Sequence, residues 1–118
     1  MVARAVGADG AEHLAVCAQI ARTEAARRAG LAGVALGDGE VLVIEFPVVG
    51  EACIHNAPVG YAIDAAFVDG EGAVTRVLRG VPARDEALVC EPIVARVVEG
   101  PAGRLAAVEV GDLVTVGR

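Results

Sequence analysis

The sequence predicts a mainly β fold: one small domain, a β sandwich or barrel with one or two short helices packed on it, and an α+β arrangement as the alternative. Three observations carry this. Short β-branched apolar runs recur along the chain, Gly- and Pro-containing turns separate them, and few stretches carry the end signals of a helix. The length of 118 residues suits a single core that buries about 65% of the surface of the unfolded chain without needing staples. No linker or repeat divides the sequence, so we expect one domain over residues 1–118 with its core at about 12–116.

The elements follow in order. Residues 13–20 are a mixed apolar run. Glu24 to Gly30 is the strongest helix candidate: Thr23 can cap the first turn, Glu24 suits its positive end, Arg27 and Arg28 suit the negative end, and Gly30 can take the left-handed stop. At about two turns, this helix must be held by packing. Val41 to Phe46 reads as a strand bounded by Gly37-Asp38-Gly39 and Pro47, and a separate strand is expected at Cys53 to His55. Ile63 to Val68 and Ala73 to Arg79 flank Asp69-Gly70-Glu71-Gly72, which reads as a hairpin loop. Ala87 to Cys90 and Ile93 to Val98 are expected as two further strands. Pro101 is placed to open a short helix over residues 102–107, and Gly111-Asp112 to turn the chain into a last strand at Leu113 to Val116.

Charge narrows the function classes. All ten basic residues are Arg against sixteen acidic ones, giving a net charge of −6. Such a surface repels phosphate backbones. The only tight basic pair, Arg27-Arg28, has no aromatic neighbour, so no nucleic acid is expected as a partner. Arg76 and Arg79, three apart, would point to opposite faces of a strand and form no anion clamp. No run reaches the roughly 18 apolar residues of a spanning helix, and no membrane partner is expected. Gly30-Leu31-Ala32-Gly33 lacks the spacing and the Lys-Ser/Thr end of a phosphate cradle.

Three widely spaced cysteines, Cys17, Cys53 and Cys90, are odd in number and contain no C-x-x-C, so we expect reduced thiols and a cytoplasmic location. Leu14-Ala15-Val16-Cys17 is superficially like a lipoprotein cleavage site, but Asp9 and Glu12 stand where basic residues belong and the apolar run is short.

Three ordered blocks carry a family resemblance. Arg27-Arg28-Ala29-Gly30-Leu31-Ala32-Gly33 resembles an "R-x-x-G-L-x-G" helix end. Cys53-Ile54-His55-Asn56 with Tyr61-Ala62-Ile63-Asp64-Ala65-Ala66-Phe67-Val68-Asp69-Gly70 resembles a central signature, and Val97-Val98-Glu99-Gly100-Pro101-Ala102-Gly103 with Val110-Gly111-Asp112 resembles a closing segment. Together they resemble the prokaryotic family called domain of unknown function 192. The chain departs from the usual pattern at Asn56, Val59, Gly60 and Ala62. The resemblance implies a small β-rich fold of the sandwich kind, often secreted or membrane-tethered in relatives, and no established activity.

Candidate chemistry concentrates between residues 53 and 64. Cys53 and His55, two apart, would share a strand face as a thiol–imidazole pair or as two metal ligands, with Cys90 and Asp64 as the other available ligands. The plainer reading is that Cys53 packs as a small hydrophobe and His55 bonds a nearby carbonyl. Asp64, among apolar residues, must be paired if buried, either tying down the loop from Asn56 to Gly60 or accepting from a ligand. Tyr61 could place its phenol over a cleft or at the rim of the core, and Asp112 reads as a turn residue. With no complete catalytic set, the leading expectation is a non-catalytic module binding a small molecule or a protein, without cofactor or bound metal, through Cys53, His55, Asn56, Tyr61 and Asp64. The alternatives are a cysteine- or metal-dependent enzyme using Cys53, His55 and Asp64, or a structural subunit pairing through a strand edge. We expect Asp64 to border the His55 pocket.

Overall fold

In the computed structural model, which describes residues 1–118, the chain runs through β1 (Val2–Val6), β2 (Glu12–Ala21), α1 (Glu24–Ala29), a 3-10 turn (Gly30–Gly33), β3 (Val41–Ile54), β4 (Ile63–Val68), β5 (Val74–Val81), β6 (Val89–Pro101) and β7 (Leu113–Gly117). The fold is mainly β, as expected. One sheet holds all seven strands in the order β5-β4-β6-β3-β2-β1-β7. Every pairing is antiparallel except β2 with β3, whose parallel alignment requires a crossover; α1 and the 3-10 turn lie on it. The sheet curls into a half-barrel whose two edges touch at one end, where Ala73 bridges Leu113 and the Val114 amide donates to the Gly72 carbonyl at 2.7 Å.

Alternation along the strands builds two cores. Ala3, Ala5, Leu14, Val41, Val43, Ala66, Val68, Val74, Val98 and Val114 come from all seven strands and meet on the concave face, closed by Leu105 and Val108. Their small size suits a tightly curled interior. On the convex face, Leu42, Ile44, Ala65, Phe67, Val94 and Val97 pack beneath Leu31 and Val59. The crossover turn and the loop after β3 are therefore held by burial of apolar side chains.

Local signals behave as read at α1 and at the hairpin. Thr23 Oγ1 accepts from the Ala26 amide at 3.0 Å, and Gly30 ends the helix at φ +53°. Asp69 Oδ1 accepts from Glu71 and Ala73, each at 2.9 Å, to close the β4–β5 loop.

Other expectations are corrected. The strands expected separately at 41–46 and 53–55 are one strand, as are those at 87–90 and 93–98. The β3–β6 register shifts between Glu45 and Ala52, so Pro47 and Pro92 fall where an absent N–H costs little ladder bonding. Residues 102–107 form successive turns rather than a helix: Gly103 sits at φ +94°, and a carboxylate takes amides there that a helix would use. The N-terminal strand β1 had no counterpart in the sequence reading. The cysteines are not all reduced: Cys53 and Cys90 face each other across β3 and β6 and form a disulfide, while Cys17 is free. Strand register sets that pairing across 37 residues, which an odd count cannot reveal. No helix is long and apolar enough to cross a membrane.

Candidate functional site

A cavity of about 160 Å³ opens on the convex face, between the end of α1, the 3-10 turn and the end of β3 with its following loop. Leu31, Ile44, Ile54, Val59 and Ile63 give it an apolar wall; Arg27, Arg28, His55, Asn56 and Glu99 supply the polar groups. Its position follows from the crossover, which lays the end of α1 over β3 and β6.

Glu99 is the unusual member. It pairs with Leu42 of β3 and Ala65 of β4, and its side chain shares their convex face, so a carboxyl stands where alternation calls for an apolar residue. It is 4% exposed, and neither a hydrogen bond nor a neighbouring charge offsets that burial. Burial alone pushes its pKa from the ordinary 4.5 up to about 7. The nearby arginines are engaged elsewhere. Arg27 donates to the carbonyls of Arg22 and Glu45, and Arg28 pairs with Glu24 at 2.8 Å. Gly30 leaves the carboxyl room: a Cβ at that position would stand 3.3 Å from Glu99 Oε1.

Asn56 is fully buried beside this cavity. Its Nδ2 donates to the carbonyls of Pro82 at 2.9 Å, Tyr61 at 3.0 Å and Val81 at 3.3 Å, which fixes the loop against the end of β5, while Oδ1 has no partner. His55 is exposed, and its Nδ1 accepts from the Ala57 amide at 3.2 Å, where a carbonyl partner was expected. Cys53 is exposed and committed to the disulfide.

The structure does not bring the remaining expected site residues here. Asp64 follows the cavity residue Ile63 and therefore projects to the opposite face of β4. There it is 2% exposed and accepts from the amides of Gly80 and Gly103 at 2.9 Å and of Leu105 at 3.2 Å. It ties down a loop, but the one after β6; Asn56 ties the loop that Asp64 was expected to hold. Tyr61 is 42% exposed and lies on a separate shallow groove with Val34, Leu36 and Pro101. Asp112 does more than open a turn: Oδ2 receives the Glu109 amide at 2.9 Å and lies 2.7 Å from His13 Nδ1, holding the imidazole pKa above its usual 6.5.

Sequence reasoning missed Glu99, Arg27 and Arg28 as cavity residues. The available signal was Glu99 following Val97-Val98 directly, a charge ending a run apolar on both faces. All three blocks that carried the family resemblance supply cavity residues: Arg27 to Leu31, Cys53 to Asn56, and Glu99. There is no group of three or more acidic, His or Cys side chains suited to hold a metal ion.

Comparison with known proteins agrees with the fold. A crystal structure of a candidate transcription regulator from Sinorhizobium meliloti 1021 superposes with a TM-score of 0.84 at 20% identity, covering 97% of this chain and 91% of that one. A protein of unknown function from Novosphingobium aromaticivorans gives 0.83 at 24% identity, with 98% and 84% covered. At such identities the likeness is one of fold. No functionally curated protein matches the sequence. The model of the uncharacterised DUF192 family matches residues 5–116, nearly the whole chain, and the protein belongs to that family.

Proposed function

We propose that this chain is a non-catalytic module that binds a small molecule in the cavity around Glu99. The observation that carries the reading is a buried carboxyl with no protein partner, lining a cavity on a rigid sheet. Protein interiors pair or hydrogen-bond their charges, and a group left without either marks a place where a ligand completes the set. Convergence of the three family-like blocks on the same cavity supports the choice. A thermal-shift screen of small metabolites with and without chelator tests it: a ligand shift present in wild type and absent in Glu99→Gln is expected, and a shift unaffected by that variant would refute the assignment.

The cysteine-dependent alternative is disfavoured because the disulfide occupies the Cys53 sulfur and Asp64 lies on the other side of the sheet from the cavity. The disulfide also removes the argument from free thiols for a cytoplasmic location and favours an oxidising compartment. Nucleic-acid binding is disfavoured, since a net charge of −6 opposes contact with phosphate backbones. A second reading, a protein-binding subunit, draws on Val48, Leu88 and Ile93, which are 77, 64 and 61% exposed. Concentration-dependent self-association or partner capture that Val48→Ser and Ile93→Ser both weaken would favour it.

A further inference from the structure

Resting on the reading of the Glu99 cavity as a ligand site, we infer that its ligand is a small organic cation, an ammonium group on an apolar body of about six non-hydrogen atoms, with the ammonium seated on Glu99.

Three observations select that chemistry. The Glu99 carboxyl, the cavity-wall carboxylate that no protein group pairs, is an acceptor when ionised, and an ammonium offers three donors and no acceptor. A bare metal ion is a poor fit because calcium, magnesium or zinc needs several oxygen, nitrogen or sulfur ligands, and the cavity offers one carboxylate among apolar side chains. The volume of about 160 Å³ is close to that of a dry cavity able to hold benzene, which sets the size of the body that Leu31, Ile44, Ile54, Val59 and Ile63 would contact. The alternative occupant is an acceptor such as a carboxylate, taking a hydrogen bond from protonated Glu99.

The two occupants are separable by pH. Charged or titratable groups at the cavity are Arg27 and Arg28 from α1, His55 directly after β3, and Glu99 from β6, while β4 presents Ile63. A His55→Gln variant therefore separates the contribution of Glu99 from that of the imidazole at the cavity mouth. An alkylammonium binds ionised Glu99, so its affinity must rise between about pH 6 and pH 8; a carboxylate probe would weaken over the same range.

The test is calorimetric titration of the full chain with isoamylamine, isoamyl alcohol and isovalerate, which share a carbon body and differ in charge, together with amide chemical-shift mapping. The expected result is that isoamylamine binds at least tenfold more tightly than either analogue and gains affinity toward pH 8 in wild type and in His55→Gln. Glu99→Gln, which retains shape and removes the charge, should lose that preference. Equal or tighter binding of the alcohol or isovalerate, with shifts at Gly30, Leu31 and Glu99, overturns the cationic ligand and leaves the cavity reading standing. Shifts for none of the three probes at millimolar concentration overturn both.

Discussion

A carboxyl kept for a ligand should cost the empty protein stability, and the cost can be worked out at Glu99. Its folded pKa of about 7 against the ordinary 4.5 corresponds to about 3 kcal/mol between the protonation states. The sign is set by proton binding. Below the unfolded value both states hold the proton and nothing is lost. Between 4.5 and about 7 the unfolded chain ionises while the folded one stays protonated, so stability falls as pH rises. Above about 7 the penalty is complete. Replacing Glu99 with Gln removes this dependence, and the variant should gain about 2 to 3 kcal/mol on wild type in going from pH 5 to pH 8. Urea denaturation of both proteins at the two pH values measures it, and the difference between pH values cancels the cost of burying the Gln amide. A near-constant difference, or a Glu99→Gln variant less stable at pH 8 than at pH 5 relative to wild type, would refute the reasoning and mean that Glu99 has a partner in the fold.

Three further outcomes follow from other parts of the structure. Alkylation without reductant should label Cys17 alone, and Cys53→Ser with Cys90→Ser should cost up to about 4 kcal/mol, the chain-entropy value for a loop closed across 37 residues; labelling of all three cysteines would contradict the pairing. Asp64→Ala strands the amides of Gly80, Gly103 and Leu105 and should lower stability by about 3 kcal/mol or more in denaturant melts, whereas a loss below about 1 kcal/mol would show that the loop re-forms around water. His13 should titrate above 6.5 by NMR and fall toward it in Asp112→Asn; the raised value contributes stability that is present below 6.5 and lost as pH rises through the folded pKa, and an unchanged His13 titration in the variant would sink the pairing.

Much of the architecture was legible because it is written in local patterns. The cap at Thr23, the stop at Gly30 and the loop from Asp69 to Gly72 each depend on side chains within a few residues, and each formed as read. What failed depended on partners distant in sequence. Pro47 looked like a terminator, yet β3 continues past it because the opposite strand is irregular at the same level. The stretch after Pro101 had the residues of a first helical turn, yet Asp64, about 40 residues away, captures the Gly103 and Leu105 amides. The disulfide is the same kind of fact, since only register placed Cys53 opposite Cys90.

The site was half legible for a related reason. Cys53, His55, Asn56 and Asp64 stood out as polar residues in an apolar context, and the first three do border the cavity. In a strand, however, a polar residue's role depends on which face it takes, and a shift of one residue separates opposite roles. Ile63 lines the cavity, and Asp64 beside it is spent holding a loop on the concave side. Glu99 shows the converse: in sequence it is an unremarked charge at a strand's end, and it becomes exceptional only when β3 and β4 flank it and the end of α1 covers it. Two carboxyls of nearly equal burial thus divide the work by their donors. Asp64 has three amides and is satisfied; Glu99 has none, so Glu99 rather than Asp64 is the group from which a bound ligand can gain free energy.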